Sequence, residues 1–158
     1  MTRPTAPDVT FALATRADLD ALCELMAAYY RDDGLTVAPE STRQVLEHFF
    51  RSQEAGQGLG RIWFLQRGEH RIGYLALTWV YSFEYGGQVG AVDELYVAPD
   101  SRGRGVGGAA LGFAERMCKE MGMTGLSLEV EPGNEGAARL YRRAGFRDVH
   151  RTFLSKRF

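Results

Sequence analysis

The segment Asp100-Ser101-Arg102-Gly103-Arg104-Gly105-Val106-Gly107-Gly108 carries the plainest chemical signal in this sequence. Its four glycines fall within six residues, between an apolar strand pattern and a strongly periodic helix pattern. Glycine lets backbone approach a ligand closely, and the free N–H groups at a helix start attract an anion. Arg102 and Arg104 add charge-assisted donors. Together these residues make a cradle for a pyrophosphate. Just upstream, Asp93 and Glu94 are adjacent carboxylates in the otherwise apolar run Val89–Val97. Strand alternation sends them to opposite faces, with Asp93 on the face of Leu95 and Val97. A carboxylate on a buried strand is costly unless it is paired or put to use.

Which phosphate ligand the cradle serves depends on its surroundings. A nucleoside triphosphatase loop ends in Gly-Lys-Ser/Thr, and this segment has no such ending. Gly103, Gly105 and Gly108 match the dinucleotide fingerprint G-x-G-x-x-G, and Glu129 lies about twenty residues further on. The order of elements opposes that reading. A doubly wound domain opens with this unit, whereas here four strand patterns precede the loop. Ala98–Arg102 also separates the strand from the first glycine, where a dinucleotide loop turns at once.

The elements that would position these groups can be read along the chain. Thr10–Ala14 predicts a first strand, and Thr15-Arg16-Ala17-Asp18 a helix start. Leu19, Leu22, Cys23, Met26, Tyr29 and Tyr30 recur at helical spacing, and Asp33-Gly34 ends that run. A second helix is predicted over about 39–52. Arg61–Gln66 and Arg71–Val80 flank a polar turn and predict a hairpin, its second strand extended by Tyr81–Tyr85. Val89–Val97 is the next strand. After the glycines, Val106, Ala110, Phe113, Ala114, Met117 and Met121 fall on one helical face. Leu126–Val130 predicts a short strand. Asn134 can cap a last helix, which Gly145 closes in a left-handed conformation. Phe146–His150 and Thr152–Ser155 read as terminal strands. The order is that of an α/β domain with a mixed α+β sheet.

Arg102-x-x-Gly105-x-Gly107 resembles the Gln/Arg-x-x-Gly-x-Gly/Ala pyrophosphate loop of the GNAT superfamily of N-acetyltransferases. The flanks agree. Val92–Pro99 is similar to the family's strand before the loop. Asn134, followed by Ala138-Arg139-Leu140-Tyr141-Arg142-Arg143-Ala144-Gly145-Phe146, is similar to its second conserved region. The good match runs over about Arg61–Arg147, and the first third agrees only in its β-α-α order.

The resemblance implies one N-acetyltransferase domain over residues 1–158. Its fold is a mostly antiparallel central sheet that splays between the fourth and fifth strands, with about four helices around it. It implies acetyl-CoA as cosubstrate, no metal, and direct transfer to a primary amine. A small-molecule acceptor is expected, with a protein N-terminus or lysine as the alternative. Carried over by position, Leu95, Tyr96 and Val97 would pair with the pantetheine arm as an added strand. Arg102, Gly103, Arg104, Gly105, Val106 and Gly107 would hold the pyrophosphate, with Asn134 also on the cofactor side. Tyr141 would be the acid that protonates the departing thiolate. Asp93 would be the base, often acting through water, and Glu94 is the alternative. A strand with no dedicated base is the third option. Tyr29, Tyr30, Asp32, Asp33, Tyr81, Phe83 and Glu84 are candidates for the acceptor lining, where acids and aromatics suit a cationic amine, although Tyr29 and Tyr30 read more readily as helix core. Glu129 either faces the cleft or makes a structural ion pair. A CoA-binding protein without transferase activity is the rival from another class.

Bulk properties agree with a small anionic ligand. The chain has 158 residues, 45% apolar and 25% charged, enough for one domain with an ordinary core. A net charge of −1 and a pI near 6.3 give no field favouring nucleic acid or an anionic membrane. Cys23 and Cys118 make no disulfide framework, and His48, His70 and His150 have no metal-binding spacing. Residues 1–9 read as a loose tail without the apolar core of a secretory signal, so the cytoplasm is the expected compartment. The terminal strand Thr152–Ser155 offers an edge through which a homodimer could pair.

Overall fold

The structure is a computed structural model that describes residues 8–158. Most of the expected N-terminal tail therefore lies outside the described residues. Five strands form one sheet in the order β1-β2-β3-β4-β5: β1 (Thr10–Leu13), β2 (Gly60–Arg67), β3 (His70–Ser82), β4 (Gly87–Val97) and β5 (Gly125–Leu128). The first four pair antiparallel, and β5 joins β4 in parallel. Four α-helices cover the sheet: α1 (Leu19–Asp32), α2 (Pro39–Glu54), α3 (Val106–Glu120) and α4 (Glu135–Arg143).

Strand alternation gives the sheet two apolar faces, and each has its own core. On one face α3 lays Val106, Ala110 and Ala114 against Trp63, Leu65, Leu75 and Leu77. On the other, Leu22 and Met26 of α1 and Leu46 and Phe50 of α2 pack on Phe64, Tyr74 and Tyr96. Burying each such large side chain contributes about 1.5–3 kcal/mol. The strict 3.6-residue period of α3 reflects one stripe facing a flat, fully apolar sheet.

Two features of β4 open the sheet at one end. First, Ala76 faces Glu94 while Leu77 faces Val92, so Asp93 is one residue more than β3 can pair. This is a β-bulge, which bends its strand and raises the local twist. Second, the β4–β5 ladder stops at Val92↔Leu128, although β4 runs on to Val97. Residues 93–97 therefore have β3 on one side and no strand on the other. The two strands part where the bulge begins.

The predicted terminal strands do not form. Residues 144–158 contain no helix or strand, and Val149, Phe153 and Leu154 are exposed. Their large apolar residues fall at 146, 149, 153, 154 and 158, a spacing that gives no single face to bury. His150 holds φ +51°, and its N–H donates to Asp148 Oδ1 at 2.8 Å. That side-chain turn takes the backbone out of the extended range. The second hairpin strand also stops early, at Ser82, whose Oγ accepts the Tyr85 N–H at 3.2 Å. Strand β5 ends at Leu128 and leaves Glu129 exposed beyond it.

Candidate active site

Glu94 is the central group of the site. The bulge puts it on the α1–α2 face, mostly buried, directly opposite Ala76. Tyr74 lies two residues from Ala76 on the same face, which makes it a diagonal neighbour of Glu94. Its hydroxyl donates to Glu94 Oε2 at 2.7 Å, and Tyr30 of α1 donates to Oε1 at 2.9 Å. Burial pushes the Glu94 carboxyl above the ordinary glutamate range, the two phenol donations pull it back, and neighbouring Asp93 pushes it up again. The net direction is upward. Burial also raises both phenols, with the Glu94 charge adding to it, so they stay protonated.

The alternation expected for Asp93 is broken by the bulge. Val92, Leu95 and Val97 pack on the α3 face, and Glu94 and Tyr96 take the other. Asp93 is looped out between them and exposed, and it lines the same cavity as Glu94. The two carboxylates therefore share one cavity rather than opposite faces. That cavity has a volume of about 180 Å³ and lies between α1, α2 and the sheet. Tyr30 lines it, whereas Tyr81, Phe83 and Glu84 do not. Those three lie at or beyond the end of β3, where Tyr81 stacks edge-on with Phe83 and Glu84 binds Arg151. Their polar and aromatic character suited a pocket, but the long β3–β4 hairpin carries them away from it.

The glycine segment follows β4 and leads into α3. Gly103 and Gly105 hold φ +71° and +79°, conformations that a side chain would strain. Gly105 stands immediately before α3, and the first intrahelical bond there is from Ala109 N–H to Gly105 O. The N–H groups of Val106, Gly107 and Gly108 thus precede the helical ladder and have no intrahelical acceptor. A Cβ on Gly107 would come within 2.8 Å of Leu140 in α4, so glycine there lets the two helices approach. Along β4, the bond from Ala98 N–H to Ile72 O fixes the alternation of the ladder. Tyr96 turns its backbone polar groups to β3, and Leu95 and Val97 turn theirs to the open side. A phosphate-and-amide ligand of the pantetheine type fits these groups, which offer unpaired backbone donors and a free strand edge together.

Arg102 is tied down by its neighbours. Its Nε donates to Val97 O at 2.7 Å, its guanidinium binds Asp32 Oδ2 at 2.6 Å, and it stacks over the Tyr96 ring at 5.7 Å. Arg104 is exposed. Asn134 accepts the Ala137 N–H at 3.1 Å and so caps α4.

Tyr141 is placed by the end of α4. Gly145 has φ +93°, and Phe146 N–H donates back to Tyr141 O at 3.0 Å, a helix-closing motif that brings C″ against C3. The Phe146 ring accordingly packs edge-on against Tyr141, with centroids 6.2 Å apart. Burial raises the Tyr141 phenol, with a further push from the Asp33 charge. Tyr29 is raised by burial and by the charges of Asp33 and Glu94. The end of α1 is therefore where the Tyr141 side and the Glu94 side of the site meet. Tyr74 was not legible as a site residue, because only the bulged register puts it beside Glu94. Among the described residues Glu129 makes no ion pair, and it does not line the cavity. Among the described residues, no three His, Cys, Asp or Glu side chains gather where they could hold a metal ion. No helix there is long and apolar enough to cross a membrane.

Known proteins share both the sequence pattern and the fold. The acetyltransferase (GNAT) family model matches residues 19–146. An uncharacterized N-acetyltransferase of Methanocaldococcus jannaschii is 34% identical over 79 residues, which are 49% of this chain. The match spans about a third of that relative's length (34%). An integron cassette protein from the mobile metagenome of Cole Harbour Salt Marsh has a similar crystal structure. It is 31% identical, with a TM-score of 0.80 over 96% of this chain and 90% of that one. An aminoglycoside N-acetyltransferase, solved with a CoA-linked acetylneamine bisubstrate analogue, shares the fold at 13% identity. Its TM-score is 0.79 over 95% of this chain and 98% of that one.

Proposed function

This chain belongs to the GNAT family of acetyltransferases, and from that membership we propose that it transfers an acetyl group from acetyl-CoA directly to the primary amine of a small molecule. One observation carries the reading. A half-buried carboxylate, Glu94, held by two phenols, lies in a cavity at the bulge of β4, on the strand whose free edge follows directly after it. The cavity is a half-open cleft of about 180 Å³ between helices and sheet, a size that suits a small acceptor.

When bound, acetyl-CoA supplies the acetyl group as a thioester, which a neutral amine attacks with loss of the thiol. The N–H groups of Leu95 and Val97 and the Leu95 carbonyl face the open edge and are offered to an extended amide chain, while Arg102 holds the Val97 carbonyl. The N–H groups from Gly103 to Gly107 and the exposed Arg104 take the phosphates, the Arg102 N–H being held by Pro99 O. An alkylamine is mostly protonated near neutral pH, so a base must remove a proton before or during attack. Glu94 takes that proton, directly or through the Tyr30 hydroxyl that donates to it. Its raised pKa suits it to the task, since a carboxylate nearer neutrality is the stronger base. Asp93, exposed in the same cavity, draws the ammonium in by its charge. Tyr141 keeps its proton at neutral pH and gives it to the departing sulfur.

The test is release of CoA from acetyl-CoA, read with a thiol reagent, in the presence of an amine panel. Amine-dependent release and an acetylated product are expected. Tight acetyl-CoA binding without release from any amine would leave a CoA-binding protein instead.

A further inference from the structure

Resting on this transferase reading, we infer that the acceptor is a monoamine whose ammonium carries an apolar body, a short alkyl chain or one ring. Polyamines, aminoglycosides and free amino acids do not fit the cavity. Its walls are the apolar side chains of Met26, Leu46, Phe49 and Ile62. Val37 and Val45 stand at the mouth, 41% and 68% exposed. A bound apolar group would cover both side chains. Negative charge is confined to the β4 side, where Asp93 and Glu94 lie. The other polar side chains there are the hydroxyls of Tyr30, Ser41, Thr42 and Thr78.

Each excluded class meets a specific obstacle. A free amino acid needs a cation for its carboxylate. Arg61 lines the cavity, but Ile62 takes that face of β2, so alternation sends the Arg61 side chain to the opposite face. A polyamine or aminoglycoside brings further ammonium groups, which would sit unpaired against the apolar walls. Past Val37 and Tyr30 the cavity adjoins a hollow of about 190 Å³ that contains Arg31, and this cation repels a second ammonium. Size agrees as well. A cavity of about 150 Å³ lined by Leu, Ile and Phe accepts benzene. The 180 Å³ here therefore holds a six-membered ring or a chain of about six carbons.

The experiment measures kcat/KM by CoA release for propylamine through hexylamine, phenethylamine, spermidine, neamine and leucine. Propylamine and hexylamine are also titrated calorimetrically into the protein with CoA present. Each added methylene is expected to raise kcat/KM about threefold to fourfold until the cavity is full. Phenethylamine should exceed spermidine, neamine and leucine by about tenfold or more. Val45→Glu changes an exposed residue and spares the core. It should lower kcat/KM for hexylamine about tenfold and raise that for spermidine. A flat response to chain length, or preference for spermidine, neamine or leucine, overturns the inference while the transferase reading stands. Failure of every amine to release CoA overturns the transferase reading instead. Calorimetry then decides the cavity alone: hexylamine binding tighter than propylamine supports the apolar site, and absence of binding removes it.

Discussion

At the scale of single residues, the site is a problem of where protons rest. Glu94 is lifted by burial and held down by two phenols, so removing one phenol has a definite sign. Tyr30→Phe deletes a donation that favours the charged carboxylate, and the Glu94 pKa must rise. A hydrogen bond to a charged group contributes about 1.5–3 kcal/mol, so the acid limb of kcat should move up by about one to two pH units. Activity needs Glu94 ionised. It is therefore lost as pH falls through that raised value and retained above it. Glu94→Gln should lower kcat by about 10²–10⁴ and abolish the limb. A pH profile of kcat with saturating amine checks both variants, and an unmoved limb in Tyr30→Phe assigns it to another group. For Tyr141→Phe, kcat is expected to drop about 10² with acetyl-CoA affinity nearly unchanged. Wild-type turnover in that variant would reduce Tyr141 to packing against Phe146.

At the scale of elements, the glycine segment works through backbone shape. Gly105→Glu sets a side chain at φ +79° and a negative charge where phosphate N–H donors converge. The strain alone costs about 1–2 kcal/mol. Calorimetry should show acetyl-CoA binding abolished in a variant that keeps its circular dichroism spectrum, and normal binding would free the loop from any phosphate role. This segment was legible because its signal is local: glycines, arginines and the strict period of α3 sit side by side in the chain. The Asn134 cap and the Gly145 closure of α4 were legible for the same reason. The bulge was not, because an unpaired residue in a ladder leaves no composition of its own. Without it, alternation sent Asp93 to the wrong face and hid the Tyr74–Glu94 pair. Nor did alternation warn that Asp148 would capture the His150 N–H and keep the C-terminal stretch from becoming a strand.

At the scale of the molecule, the fold is carried by two cores on one sheet, and the C-terminal stretch adds little to either. Phe146 alone from that stretch packs on the core, and the Arg151–Glu84 ion pair is exposed. Exposed pairs contribute at most about 1 kcal/mol. Deleting residues 151–158 should therefore move Tm by no more than about 2–4 °C. Calorimetric scanning checks this, and a larger fall would mean the stretch is paired in solution. The homodimer expected through Thr152–Ser155 would then be the first explanation, and sedimentation of the full and shortened chains would decide it. The acceptor cavity was hardest to foresee at this scale. Its walls come from α1, α2 and β2–β4, segments with no chemistry of their own, and only the packed molecule brings them round Glu94.

Asp93 has a second meaning, as surplus length. Val92 and Glu94 face consecutive residues of β3, so the chain between them is one residue too long for its path. Remove that residue and Val92 would lead into Glu94 in register, each keeping its partner and its face. What would go is the bend, and with it the reason β5 turns away after Leu128. The cleft would then be a matter of arithmetic along one strand, independent of the side chain that supplies the extra count. Deletion of Asp93 should give a folded protein with acetyl-CoA affinity reduced at least tenfold, whereas Asp93→Ala should bind acetyl-CoA as the natural chain does. Equal affinity in the two variants would mean that the opening is held by something other than the surplus residue.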